Sequence, residues 1–222
     1  MSTDNFLKKA GSIVIALSCL LICAYAGVVA RAKRVEVNAV FYYLVTEDTK
    51  MEVGAEFAKL EGGAGYLLEH NGAEYVTLAV YLEEGEAFAV QYRLSAAGRT
   101  TSLLQKNVQA LYFKGKEKRE SALYISGLNT LNSYIYLLKA TLDSLADGLS
   151  QEKCKGLLIT QLRQYTYAKE QYKQYEALSK VFAQSAEQLS AIVSDIAYLK
   201  DLRYLLCWQT EKYIALCSKF SI

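Results

Sequence analysis

The stretch Gly65-Tyr66-Leu67-Leu68-Glu69-His70-Asn71-Gly72-Ala73-Glu74-Tyr75-Val76-Thr77-Leu78-Ala79-Val80-Tyr81 decides the fold. Asn71-Gly72 is the strongest short hairpin signal, because both residues accept the positive φ of a two-residue turn. Tyr75 to Tyr81 is built of β-branched, aromatic and small apolar residues with no break inside it. Gly65 to Glu69 stands opposite it across the turn. The segment is therefore a β-hairpin.

Upstream, Val35 to Val45 (VEVNAVFYYLV) is another β-rich run without turn residues. The polar stretch Glu47-Asp48-Thr49-Lys50 leads into a helical segment to about Leu60, closed by Gly62-Gly63. Downstream, Glu83 to Ala97 is helical, stops at Gly98 and feeds a strand near Thr101 to Gln105. The order β-α-β-β-α-β is the split ferredoxin-like arrangement, which makes residues 35–113 an α+β domain. Its two halves align at one offset: Met51, Ala58 and Gly62 fall 36 residues before Ala87, Leu94 and Gly98. In each helix two apolar positions seven residues apart share a face, and a glycine stops the helix.

Residues 37–105 resemble the sporulation-related repeat (SPOR) domain, a bacterial module that binds septal peptidoglycan. The match is best in the second half, Tyr75-Val76-Thr77-Leu78-Ala79-Val80-Tyr81-Leu82 followed by Glu83-Glu84-Gly85-Glu86-Ala87. In the first half the family's glutamine, glycine and phenylalanine fall on Phe41, Tyr43 and Val45. The resemblance implies a non-catalytic protein that associates with peptidoglycan glycan strands in cell division or sporulation. A membrane helix ahead of the domain is the family's usual layout, and it implies an extracytoplasmic body.

The departures concern the binding face. Strand neighbours alternate sides, so Phe41 and Tyr43 share one face while Val40, Tyr42 and Leu44 share the other. Both faces are apolar here, and a sheet that is apolar on both sides is covered on both sides. The two helices cover only one. Two readings stay open: Phe41, Tyr43, Val76 and Leu78 are glycan contacts, or the C-terminal helices close that face. In the second reading the chain is a protein-interaction scaffold that has lost glycan binding.

After a charged linker at 114–120 the chain reads as helical to its end. Leu128, Leu131, Ile135, Leu138, Leu142 and Leu145 alternate spacings of three and four, a heptad seam. Asp147-Gly148 ends that helix and Ser150 can cap the next. A second helix is expected from Gln151 through Tyr165, Ala168, Tyr172 and Tyr175 to Phe182. Ser185 with Gln188 has the form of a capping box for a third, carrying Ile192, Ile196, Leu199, Leu206, Tyr213 and Phe220. Residues 121–222 thus suggest an antiparallel bundle or coiled-coil hairpin. Its tyrosine stripe reads either as a packed seam or as a surface for a protein partner or a glycan.

At the other end, Ala10 to Ala30 holds 21 residues without a charge, flanked by Lys8-Lys9 and by Arg31, Lys33 and Arg34. About 20 apolar residues span a bilayer as a helix. The expectation is a single-pass transmembrane anchor with residues 1–9 in the cytoplasm. A cleaved signal peptide is the alternative, since Ala24-Tyr25-Ala26 has the small-x-small form of a cleavage site.

Function classes narrow by what is missing. The 25 basic and 23 acidic residues nearly cancel, so no nucleic-acid partner is expected. Five cysteines form no C-x-x-C pair, and one histidine cannot complete a zinc site. His70 lies in the hairpin turn with no nucleophile motif near it. The acidic pairs Glu47-Asp48 and Glu83-Glu84 sit where helices begin, which the helix dipole favours. There is no phosphate loop and no G-x-S-x-G, so neither cofactor nor enzyme activity is expected.

Overall fold

The computed structural model describes residues 33–46, 51–194 and 199–221. Four strands, β1 (Lys33–Thr46), β2 (Tyr66–His70), β3 (Ala73–Tyr81) and β4 (Thr101–Phe113), form one antiparallel sheet in the order β2-β3-β1-β4. Helix α1 (Met51–Leu60) joins β1 to β2, and α2 (Glu84–Ala96) joins β3 to β4. Asn71 and Gly72 turn the β2-β3 hairpin with φ of 52° and 77°, both in the left-handed region that such a turn needs. The last strand runs to Phe113, eight residues past the sequence reading. Its second half pairs with the first half of β1, beyond the end of β3.

The 36-residue offset is written in backbone hydrogen bonds. Gly62 N–H donates to Lys59 O and Gly63 N–H to Ala58 O (2.8 Å); Gly98 N–H donates to Ser95 O and Arg99 N–H to Leu94 O (3.0 Å). These are the same two bonds at positions 36 apart, and they define the Schellman stop of each helix. Gly62 and Gly98 take φ of 85° and 79°, which is why glycine stands at both.

Four helices follow: α3 (Gly115–Ala146), α4 (Gln151–Gln171), α5 (Glu176–Ser194) and α6 (Leu199–Ser218). The heptad seam of α3 is internal, with Leu128, Leu131, Ile135, Leu138 and Leu142 all buried. Ser150 caps α4 by accepting from the Lys153 N–H. Three features differ from the sequence reading. Residues 115–120 are the first turns of α3 and not a linker, in keeping with the helix propensity of lysine, arginine and glutamate. The second expected helix stops at Gln171, although no glycine or proline marks the place. There the chain reverses because Tyr172 is buried, stacks on Phe182 (5.7 Å) and bonds Ser126 and Thr130 through its hydroxyl. Ser185 caps nothing: it lies inside α5, fully buried.

The sheet is the middle of three layers. On one side α1 and α2 cover it: Val76 packs against Ala55 and Ala58, while Leu44, Ala79 and Tyr81 pack against Ala87. On the other side Phe41, Tyr43, Val45, Leu68, Val80 and Val108 join the helices α3 to α6 in one continuous core. Polar cross-links pin the layers together. Lys139 of α3 is nearly buried and donates to Glu86 of α2 and to Asp143, and Arg203 of α6 donates to the Gly62 carbonyl.

The transmembrane part of the expected architecture is corrected. Among the described residues no helix is long and apolar enough to cross a membrane. The segments read as cytoplasmic tail and anchor, residues 1–9 and 10–30, lie outside the described residues. A single-pass membrane placement with an extracytoplasmic body therefore has no support in the structure.

Burial raises the phenols of Tyr43, Tyr66, Tyr124, Tyr165 and Tyr213 above the usual tyrosine range, and lifts Tyr81 to about 12. A group that keeps its proton longer when folded stabilises the fold below its unfolded pKa and loses that contribution as pH rises. The unfolded value is about 10. Alkaline titration should therefore unfold the chain cooperatively above about pH 10. The last portion of tyrosinate absorbance should appear together with the loss of helical circular dichroism, and its completion while the helices persist would contradict this burial.

Candidate functional site

Of the four candidate glycan contacts, the structure buries Phe41, Tyr43 and Val76 and leaves Leu78 half-buried. Phe41 and Tyr43 share a face, as the alternation of β1 requires, and that face lies beneath α6. The Phe41 ring meets Tyr213 edge to face, with centroids 5.8 Å apart. Tyr43 is fully buried. Val76 points to the opposite face and is buried under α1, and Leu78 is half-buried between the α1 and α2 clusters. Phe41 and Tyr43 thus belong to one core, Val76 and Leu78 to another. The physical reason is supply: the chain carries enough apolar helical surface in α6 to close the second face, so an apolar sheet does not stay open to solvent.

Around Tyr43 the interface with α6 is polar as well as apolar. Lys106 of β4 donates to the Glu211 carboxylate (2.9 Å) and lies over the Tyr43 ring, 5.6 Å from its centroid. Desolvation raises the Tyr43 phenol, and the nearby Glu211 charge raises it further. The Tyr43 hydroxyl is buried beside the Glu211 carboxylate. These groups clamp α6 to the sheet. Sequence reasoning missed the clamp, because Lys106 and Glu211 are 105 residues apart and carry no local pattern.

The other chemistry-bearing residues remain apart. His70 is the last residue of β2, next to the turn residue Asn71 and 3.2 Å from its amide nitrogen. Cys154, Cys207 and Cys217 are free and buried. Burial drives the Cys207 thiol far up, so its thiolate is disfavoured. No group of three or more metal-ligating side chains occurs among the described residues.

The tyrosine stripe of the tail is a packed seam. Tyr165 and Tyr172 are buried, and the Tyr165 hydroxyl receives the amides of Gln161 (2.8 Å) and Gln209 (2.6 Å). Among the described residues, α3 borders an open groove of about 550 Å³, lined by Ile125, Ser126, Asn129, Thr130, Ser133 and Tyr134. Its polar groups are hydroxyls and amides, and none is charged.

No protein-family model, curated protein or solved structure matches this chain. The resemblance to the sporulation-related repeat accordingly rests on the pattern of residues 37–105 alone.

Proposed function

We propose that this chain is a non-catalytic interaction scaffold. Its βαββαβ layer is a platform closed by the C-terminal helices, and it meets protein partners through the helical layer. One observation carries this reading: the sheet face that would hold a glycan is filled by α6, with Phe41 and Tyr43 at 1% and 0% exposure. A sugar could stack on these rings only after α6 left, and that would uncover the core they share with Leu206 and Tyr213. The groove along α3 offers a partner protein the exposed, uncharged side chains of Asn129 and Ser133. Such a surface favours reversible recognition through hydrogen bonds over permanent burial.

Two measurements test the reading. Purified chain mixed with isolated peptidoglycan sacculi should stay in the supernatant, and sedimentation with the wall above a carrier-protein control would revive the glycan reading. In cells, a photo-reactive amino acid at Ser133 should give a discrete protein adduct, whereas the same group at Phe41 should give none. No adduct at Ser133 would remove the groove from the partner surface.

A further inference from the structure

We propose that the outer face of the α1-α2 layer is a second docking surface, and that its occupant is a basic amphipathic helix of a partner protein. Helix α2 packs the reverse of an ordinary surface helix, which turns its large apolar side chains to the core. It buries Ala87 against the sheet and leaves Phe88 and Tyr92 at 53% and 77% exposure. The two aromatics are four residues apart, so they are neighbours on one face of the helix. Leu60, the last residue of α1, is 82% exposed. Leu67 opposes Val76 across the hairpin and so shares the side of the sheet that α1 covers, and it too is exposed. Single exposed apolar residues need no explanation, but two aromatics turned outward together on one helix face do.

Charge decides the occupant. The whole chain is +2, yet residues 54–99, which hold α2, the β2-β3 hairpin and most of α1, carry seven acidic and three basic residues. Two of those bases are engaged: Arg99 pairs with Glu61, and Lys59 lies over the Tyr204 ring of α6. Arg93 is the third. Glu84 stands one turn before Phe88 on the same row, and Glu69 and Glu74 are directly opposed on the side of the sheet that Leu67 shares. All three glutamates are exposed, and none is ion-paired among the described residues. Directly opposed like charges are destabilising until a cation lies against both. Such a surface repels nucleic acid, anionic lipid and the same face of a second copy. It attracts a helix that carries lysine or arginine beside an apolar stripe, and the stripe can lie on Phe88 and Tyr92.

The test uses the full chain and a short fluorescent peptide of leucine and lysine with helical periodicity. Its counterpart with glutamate in place of lysine is the control. The lysine peptide should bind, the glutamate peptide should not, and added salt should weaken the binding. Phe88→Ser with Tyr92→Ser should weaken it roughly tenfold or more at a nearly unchanged melting temperature, since neither ring belongs to the core. Glu69→Gln, Glu74→Gln and Glu84→Gln together should also weaken it.

No binding of the lysine peptide overturns the proposal, as does equal binding of the glutamate peptide or binding that survives the loss of both aromatics. Two further outcomes overturn it by naming another occupant. One is capture of the wild type by phosphatidylglycerol vesicles, the other a dimer in sedimentation, in each case abolished by Phe88→Ser with Tyr92→Ser.

Discussion

Leu138→Asp should abolish cooperative folding of the chain. Leu138 is fully buried on the α3 seam, between Leu131 and Leu142. A carboxylate placed there has no partner, since nearby Lys139 already serves Glu86 and Asp143. Burying an unpaired charge costs several kcal/mol even after it shifts its pKa. A domain holds only about 5–15 kcal/mol in total. The seam shares one core with the sheet, so the loss reaches Phe41 and Tyr43 and is not confined to the helices. The acid's pKa must rise in the folded state, so lowering the pH toward that raised value should partly restore the fold. Circular dichroism against temperature at two pH values is the measurement. Leu138→Met, which conserves volume, should cost less than about 1.5 kcal/mol. Melting of Leu138→Asp at the wild-type temperature would mean that position 138 is exposed.

Residues 35–105 were legible because each element there carries a local signal, while the strand's continuation to Phe113 carried none. Asn71-Gly72 fixes the hairpin, and Gly62 and Gly98 fix two helix stops with identical bonds. The heptad leucines of α3 were legible for the same reason. The α4-α5 reversal was not, because tertiary contacts of Tyr172 make it where glycine or proline would have marked it. Ser185 misled in the opposite sense: a good local capping pattern was overruled by burial inside α5. The sheet face was half legible. Apolarity on both sides of β1 implied a cover, but the choice between sugar and helix depended on where α6 goes. That placement is long-range, resting on contacts such as Phe41 with Tyr213 and Lys106 with Glu211.

Phe41→Ala decides that choice in solution, and it should lower stability by about 3–5 kcal/mol, the usual cost of truncating a buried aromatic. For a chain of this size each kcal/mol moves the midpoint by roughly 2–4 °C, so the melting temperature should fall by about 6–20 °C. Part of the loss belongs to the edge-to-face contact with Tyr213, since such pairs contribute about 0.5–1.5 kcal/mol beyond area. Tyr213→Ala should therefore be non-additive with Phe41→Ala, the double variant losing less than the two single losses combined. This coupling separates a ring buried beneath α6 from one that stacks on sugar. A sugar-stacking Phe41 would be solvent-exposed in the free protein. Its removal would leave the melting temperature unchanged, and Tyr213→Ala would add nothing to it. Unchanged melting together with strict additivity would show that α6 does not cover the sheet, and the closed-platform reading would fall with it.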